Sequence, residues 1–84
     1  MTHYVLTPAA VRETALTLMR TTGTTTTLDV KRALREQGFW ATQATVSTAM
    51  EALAADLGWL WLSNGFYRTY ALAADALRRL VWAN

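Results

Sequence analysis

Apolar positions recur with helical spacing in three successive blocks of this chain, and the pattern changes character in a fourth. Val11, Ala15, Leu18 and Met19 fall at i, i+4, i+7 and i+8, one face of a helix. Thr7-Pro8 precedes them as N-cap and first helical residue, where the missing proline N–H costs nothing. The pattern predicts a first helix from Pro8 that stops between Thr21 and Gly23. Leu28, Val30, Ala33 and Leu34 supply the apolar side of a second helix. Thr26 caps it, and Asp29 three residues later completes a capping-box-like pair. Gly38 is its stop, with Phe39 placed for the hydrophobic contact of a Schellman turn. Thr42 caps a third helix, whose stripe Val46, Ala49, Met50, Leu53 and Leu57 ends at Gly58. About four residues separate the second and third helices, as in a helix-turn-helix.

Past Gly58 the spacing becomes strand-like. Asn64-Gly65 lies between apolar runs at residues 59–63 and 66–72, the signature of a tight hairpin whose type I′ turn needs φ > 0 at both central residues. A two-residue loop pairs Ser63 with Phe66, Leu62 with Tyr67, Trp61 with Arg68, Leu60 with Thr69 and Trp59 with Tyr70. One face then carries Leu60, Leu62, Tyr67 and Thr69. The other carries Trp59, Trp61, Phe66, Arg68 and Tyr70, so both faces are rich in apolar groups. Ala73 to Trp82 is helix-prone, with Leu77, Leu80 and Val81 on one side and Arg78-Arg79 beside them. Met1 to Leu6 forms a short arm. The tract from Thr21 to Thr27 is the one low-complexity segment. It reads either as a solvated linker or, with Thr24-Thr25 extended, as a short strand beside the hairpin.

The order helix, Gly stop, connector, helix, Gly stop, hairpin is the layout of a winged helix. The expected fold class is α+β, mainly α: a three-helix core, a C-terminal β-hairpin wing and an added C-terminal helix. One domain spans residues 1–84, with the arm at 1–6 and the last helix at 73–84.

Composition narrows the function. Eighty-four residues allow one small core, yet 52% are hydrophobic and four are Trp, which suggests apolar surface held for another chain. A formal charge of +2 permits nucleic-acid binding without requiring it. No Cys and one His leave no donor set for a structural zinc site, and no cofactor is implied. There is no carboxylate pair, glycine-rich phosphate loop or nucleophile with a base, so no enzyme is expected. No apolar run approaches a membrane span, and Met1-Thr2-His3-Tyr4 does not open a signal peptide, so a cytoplasmic protein is expected.

The candidate sites follow from the layout. The third helix points Gln43, Ala44, Thr45, Ser47 and Thr48 away from its stripe, with Glu51 beside them. In a major groove Gln reads adenine, and Thr or Ser meets bases, phosphates or the thymine methyl. The alternative is a plain solvated face, which the absence of Lys and Arg there favours. Lys31, Arg32 and Arg35 make the second helix the most basic segment and share a broad face suited to phosphates. Thr26, Thr42, Asn64 and Arg68 complete the expected phosphate contacts. Arg68 is equally placed to stack on Trp61 as a cation–π pair. Trp40 or Trp59 is expected in the core. Trp61, Leu77, Leu80, Val81 and Trp82 are expected on a dimer or partner surface, although the last helix has the alternative of closing over the first.

The segments Leu34-Arg35-Glu36-Gln37-Gly38-Phe39 and Gln43-Ala44-Thr45-Val46-Ser47, with Asn64 and Tyr70-Ala71-Leu72, resemble the N-terminal winged-helix domain of bacterial arginine repressors. The likeness covers residues 25–72. It implies that the third helix enters the major groove and that the wing lies along the backbone. The family's usual Arg after Val-Ser is Thr48 here, and its arginine-binding, hexamer-forming domain has no counterpart, so arginine sensing is not implied. The expected function is sequence-specific binding of double-stranded DNA by a homodimer, as in a transcriptional regulator. The alternative is an interaction module whose wing or last helix meets a protein partner. A continuous basic strip would favour DNA; scattered charges with an aromatic patch would favour protein.

Overall fold

A computed structural model describes residues 3–74. Three helices and three short strands follow in the order α1 (Pro8–Thr22), β1 (Thr25–Thr26), α2 (Thr27–Glu36), α3 (Gln43–Leu57), β2 (Leu60–Ser63) and β3 (Arg68–Ala71). The fold is α+β and mainly helical, with one antiparallel sheet in the order β1-β3-β2. The expected helix over residues 73–84, and with it Leu77, Leu80, Val81 and Trp82, lies almost wholly outside the described residues.

Each helix starts on a threonine that offers its hydroxyl oxygen to an otherwise unpaired N–H. Thr7 accepts from Ala10, Thr26 from Asp29 and Thr42 from Thr45. Each such cap is worth about 1 kcal/mol. The stops are glycine-based. At the end of α2, Gly38 N–H donates to Arg35 O and Phe39 N–H to Leu34 O, at 3.1 and 3.0 Å. That is the paired bonding of a Schellman turn, and Gly38 takes the positive φ of +94° that it requires.

The core lies where the three helices meet the sheet. Val11, Ala15 and Met19 of α1, Val30 and Leu34 of α2, and Val46, Met50 and Ala54 of α3 are buried together with Ala41, Trp59 and Tyr70. Of the two tryptophans expected as core candidates, Trp59 is buried and Trp40 is exposed. Two stripe residues are corrected: Leu28 and Leu57 are exposed. Leu28 is in the first turn of α2 and Leu57 is the last residue of α3, where neighbouring elements no longer cover the helix. Buried Ala54 replaces Leu57 on the α3 stripe. The connector between α2 and α3 is six residues, 37–42, rather than about four.

The threonine tract resolves to a strand. Thr25 pairs with Tyr70 and Thr26 with Thr69, so β1 runs one residue later than Thr24-Thr25. The Thr25 hydroxyl is buried with no hydrogen-bond partner among the described residues.

The hairpin forms, but its register is corrected. Ser63 pairs with Arg68, Leu62 with Thr69, Trp61 with Tyr70 and Leu60 with Ala71. This is a two-residue slip from the expected pairing. The turn is not type I′, because Gly65 has φ +91° but Asn64, like every non-glycine among the described residues, does not have positive φ. Asn64 closes the turn with its side chain: Oδ1 accepts from the N–H of Phe66 at 2.9 Å and of Tyr67 at 3.0 Å. Such a side-chain-made turn spans more residues than the minimal loop. An even slip leaves each strand residue on its expected face.

The arm is fastened rather than free. Tyr4 N–H donates to Gly38 O at 2.9 Å, and Trp40 N–H donates to Tyr4 O at 3.1 Å. This parallel bridge to Phe39 sets the arm against the α2–α3 connector.

Candidate nucleic-acid interface

Gln43, Ser47 and Glu51 recur every four residues along α3 and so form one row. The core side of the helix is Val46, Met50 and Ala54; this row flanks it on the side of the hairpin. Together with Thr27, Ser63, Tyr67, Arg68 and Tyr70 it lines an open cleft of about 240 Å³ between helix and sheet. Gln43 and Ser47, both expected base readers, thus stand beside the hairpin. Ala44 and Thr48 lie further round the exposed side, and Thr48 donates to Ala44 O at 3.0 Å. Thr45 is exposed, and its hydroxyl accepts from the Thr42 hydroxyl at 2.9 Å. The five expected readers are therefore spread over the accessible surface of one helix. The spacing signalled this; the cleft's partners Thr27, Ser63, Tyr67 and Tyr70 were not among the expected site residues, because helix periodicity says nothing of what stands opposite.

Arg68 is the electrostatic centre of the cleft. Its guanidinium carbon is 3.9 Å from the centroid of Trp61, and Nη1 is 3.7 Å from Oε1 of Glu51. In the corrected register Trp61 opposes Tyr70, so Arg68 reaches it diagonally from the next same-face position. Both charged groups are partly exposed, so the ion pair contributes about 0–1 kcal/mol, and the stack about 0.5–1 kcal/mol. Tyr70, buried beneath them, has its pKa raised above the ordinary 10.0. Burial is the main cause, and the neighbouring Arg68 pulls the other way. Tyr70 is thus a neutral phenol across the physiological range.

The basic residues of α2 do not share a face as expected. Thr27, Lys31 and Arg35 follow one four-residue row beside the start of α3: Thr27 lines the cleft with Gln43, and Arg35 Nε donates to Ala41 O at 2.8 Å. Arg35 also lies over the Trp40 ring, 5.4 Å from its centroid. Arg32 instead lines a groove between α1 and α2 with Leu18, Thr22, Asp29 and Glu36. The reason is angular: one residue further along a helix is a turn of 100°, enough to carry Arg32 from one groove to the next.

The remaining expected phosphate contacts have local duties. The hydroxyl oxygens of Thr26 and Thr42 cap helices, and the Asn64 side chain holds the turn. Most apolar side chains of the hairpin are open. Leu62 is 80% and Phe66 93% exposed, and Leu60, Trp61 and Tyr67 are about half exposed. No group of acidic, histidine or cysteine side chains among the described residues is arranged to hold a metal ion. No helix among them is long and apolar enough to cross a membrane.

Comparison of the chain with protein-family models, with curated proteins and with solved structures gives no match.

Proposed function

We propose that the chain is a winged-helix DNA-binding protein, with α3 as the helix that enters the major groove and the β2–β3 hairpin as the wing. The observation that carries this is the placement of α3. Its uncharged exposed residues Gln43, Ala44 and Thr48 are flanked by Lys31 and Arg35 at the N-terminal end and by Arg68 on the hairpin side. A groove-reading helix needs base-compatible side chains on its open face and cations set to either side for the phosphates. The α3 N-terminus adds a partial positive charge beside Lys31, and no acidic residue stands in its first turn. The resemblance to the arginine-repressor domain runs through the same helix and hairpin. Regulation of transcription is the role that such a reader would serve.

In this reading Lys31 meets a phosphate and Arg32 does not. Lys31→Ala weakens binding to any duplex and reduces the salt slope by about 0.9, whereas Arg32→Ala leaves both unchanged. Fluorescence anisotropy with a random duplex across a salt series measures this. Failure of the native chain to bind any duplex at low salt sinks the proposal.

A second reading is a winged-helix module that meets protein. The apolar hairpin supports it, as does the division of the α2 cations between two grooves. Under that reading Lys31→Ala has no effect on partner binding and Phe66→Ser abolishes it.

A further inference from the structure

The outer edge of β2 is unlike the rest of the sheet. β3 is paired on both sides, and β1 is a two-residue strand packed against α1 and α2. Among the described residues β2 is paired on one side only, and all four of its residues are exposed. Asn64 N–H donates to Tyr67 O across the hairpin. By the alternation of an antiparallel ladder, Leu62 and Leu60 direct their backbone groups at β3, and Trp61 and Ser63 direct theirs at the open edge. An open edge normally carries a lysine, a proline or a bulge that blocks pairing with another chain. Residues 59–63, Trp-Leu-Trp-Leu-Ser, have no charge and no proline, and the β2–β3 ladder runs without a bulge.

We propose that a second copy of this chain occupies this edge, β2 pairing antiparallel with β2 of its partner to make one six-stranded sheet. The sequence itself selects a copy as the occupant. Leu60-Trp61-Leu62 reads the same in both directions, so a twofold axis at Trp61 sets each Leu60 opposite a Leu62 and the two Trp61 opposite each other. Such an isologous contact needs one self-complementary patch, and the absence of charge along β2 removes any self-repulsion. The contact covers Leu62, 80% exposed in the single chain, and satisfies the outward N–H and C=O of Trp61.

Antiparallel pairing about such an axis keeps each face of the sheet on its own side. Arg68 and Trp61 mark the face against which α3 lies, so both α3 helices stand on the same side of the joint sheet. The dimer is independent of the DNA reading; the corollary, that the two helices meet inverted half-sites on one duplex, rests on it.

Sedimentation velocity of the full chain without DNA tests the dimer. The native chain sediments as a dimer. Leu62→Lys, a change on an exposed face, raises the dissociation constant more than about tenfold and keeps the native far-UV circular dichroism. The chain contains no cysteine, so Trp61→Cys, on the axis, oxidises to a disulfide-linked dimer while Ala52→Cys, in the exposed row of Ala44 and Thr48 on α3, stays single. A native chain that is monomeric at every concentration overturns the proposal. So does a Leu62→Lys dimer as tight as the native one, or cross-linking of Ala52→Cys as fast as that of Trp61→Cys. A dimer that passes these tests but binds no duplex overturns the proposed function and leaves the edge pairing standing.

Discussion

The helical half of the molecule and its hairpin are built from the same kinds of residue and use them in opposite ways. In the helices, Val11, Met19, Leu34 and Met50 disappear completely into the core. In the hairpin and the residue that leads into it, only Trp59 and Tyr70 do so, and Leu60, Trp61, Leu62, Phe66 and Tyr67 remain open. The difference is geometric. A helix has one side to bury and three neighbours here to bury it against. A two-sided ribbon projecting from the core has both faces, one edge and a tip to cover, and α3 covers one face in part. Hydrophobic content therefore stabilises the chain in one region and stays open to solvent in the other.

Mutation separates the two regions. The largest expected effect is in the core: Leu34→Ala lowers stability by about 2–5 kcal/mol. Phe66→Ser, at a residue 93% exposed, changes it by less than about 0.5 kcal/mol. Urea titrations of both variants check this, and equal losses would erase the distinction between the regions. The next effect is at the connector. Gly38→Ala forces a side chain into φ +94° and sets its Cβ 3.3 Å from the Tyr4 ring, at a cost of about 1–2 kcal/mol. Tyr4→Ala in the same background recovers only the steric part, so the double variant stays less stable than Tyr4→Ala alone. A smaller change has the opposite sign. Thr25→Val removes a buried hydroxyl without a partner and raises stability by about 1 kcal/mol. The smallest concerns the cleft. In the proposed DNA reading, Glu51→Gln frees Arg68 from its carboxylate and removes a charge that opposes phosphate, so duplex affinity measured by anisotropy rises by less than about 1 kcal/mol. Weaker binding by that variant would mean that Glu51 contacts a base.

The parts of this structure legible in the sequence are those decided within a turn of chain. Thr7, Thr26 and Thr42 announce three helix starts because a cap bond reaches only three residues. Gly23, Gly38 and Gly58 mark the ends because each helix leaves through a positive φ. What was not legible depends on longer or subtler choices. The hairpin register escaped because a slip of two residues gives the same alternation of faces, so the apolar pattern cannot distinguish the two pairings. The tether of Tyr4 to the connector is made by backbone groups, which carry no residue signature. For the candidate site, periodicity identified the open face of α3, but not that the row of Gln43, Ser47 and Glu51 is turned toward the hairpin. The division of Lys31 and Arg35 from Arg32 was readable in principle from the helical angle, once the buried positions Val30 and Leu34 fix where the core lies.

The turn at Asn64 has a consequence for the chemical lifetime of the protein. An asparagine followed by glycine is the pair most exposed to spontaneous deamidation, in which the glycine nitrogen attacks the side-chain carbonyl carbon and ammonia leaves. Here that nitrogen donates its proton to Ser63 Oγ at 3.2 Å, and the Asn64 carbonyl oxygen is held by two backbone N–H groups. The turn thus engages the glycine N–H, whose proton must leave before ring closure. Loosening the hairpin tip would therefore start a slow covalent clock, ending in a carboxylate at the tip of the hairpin.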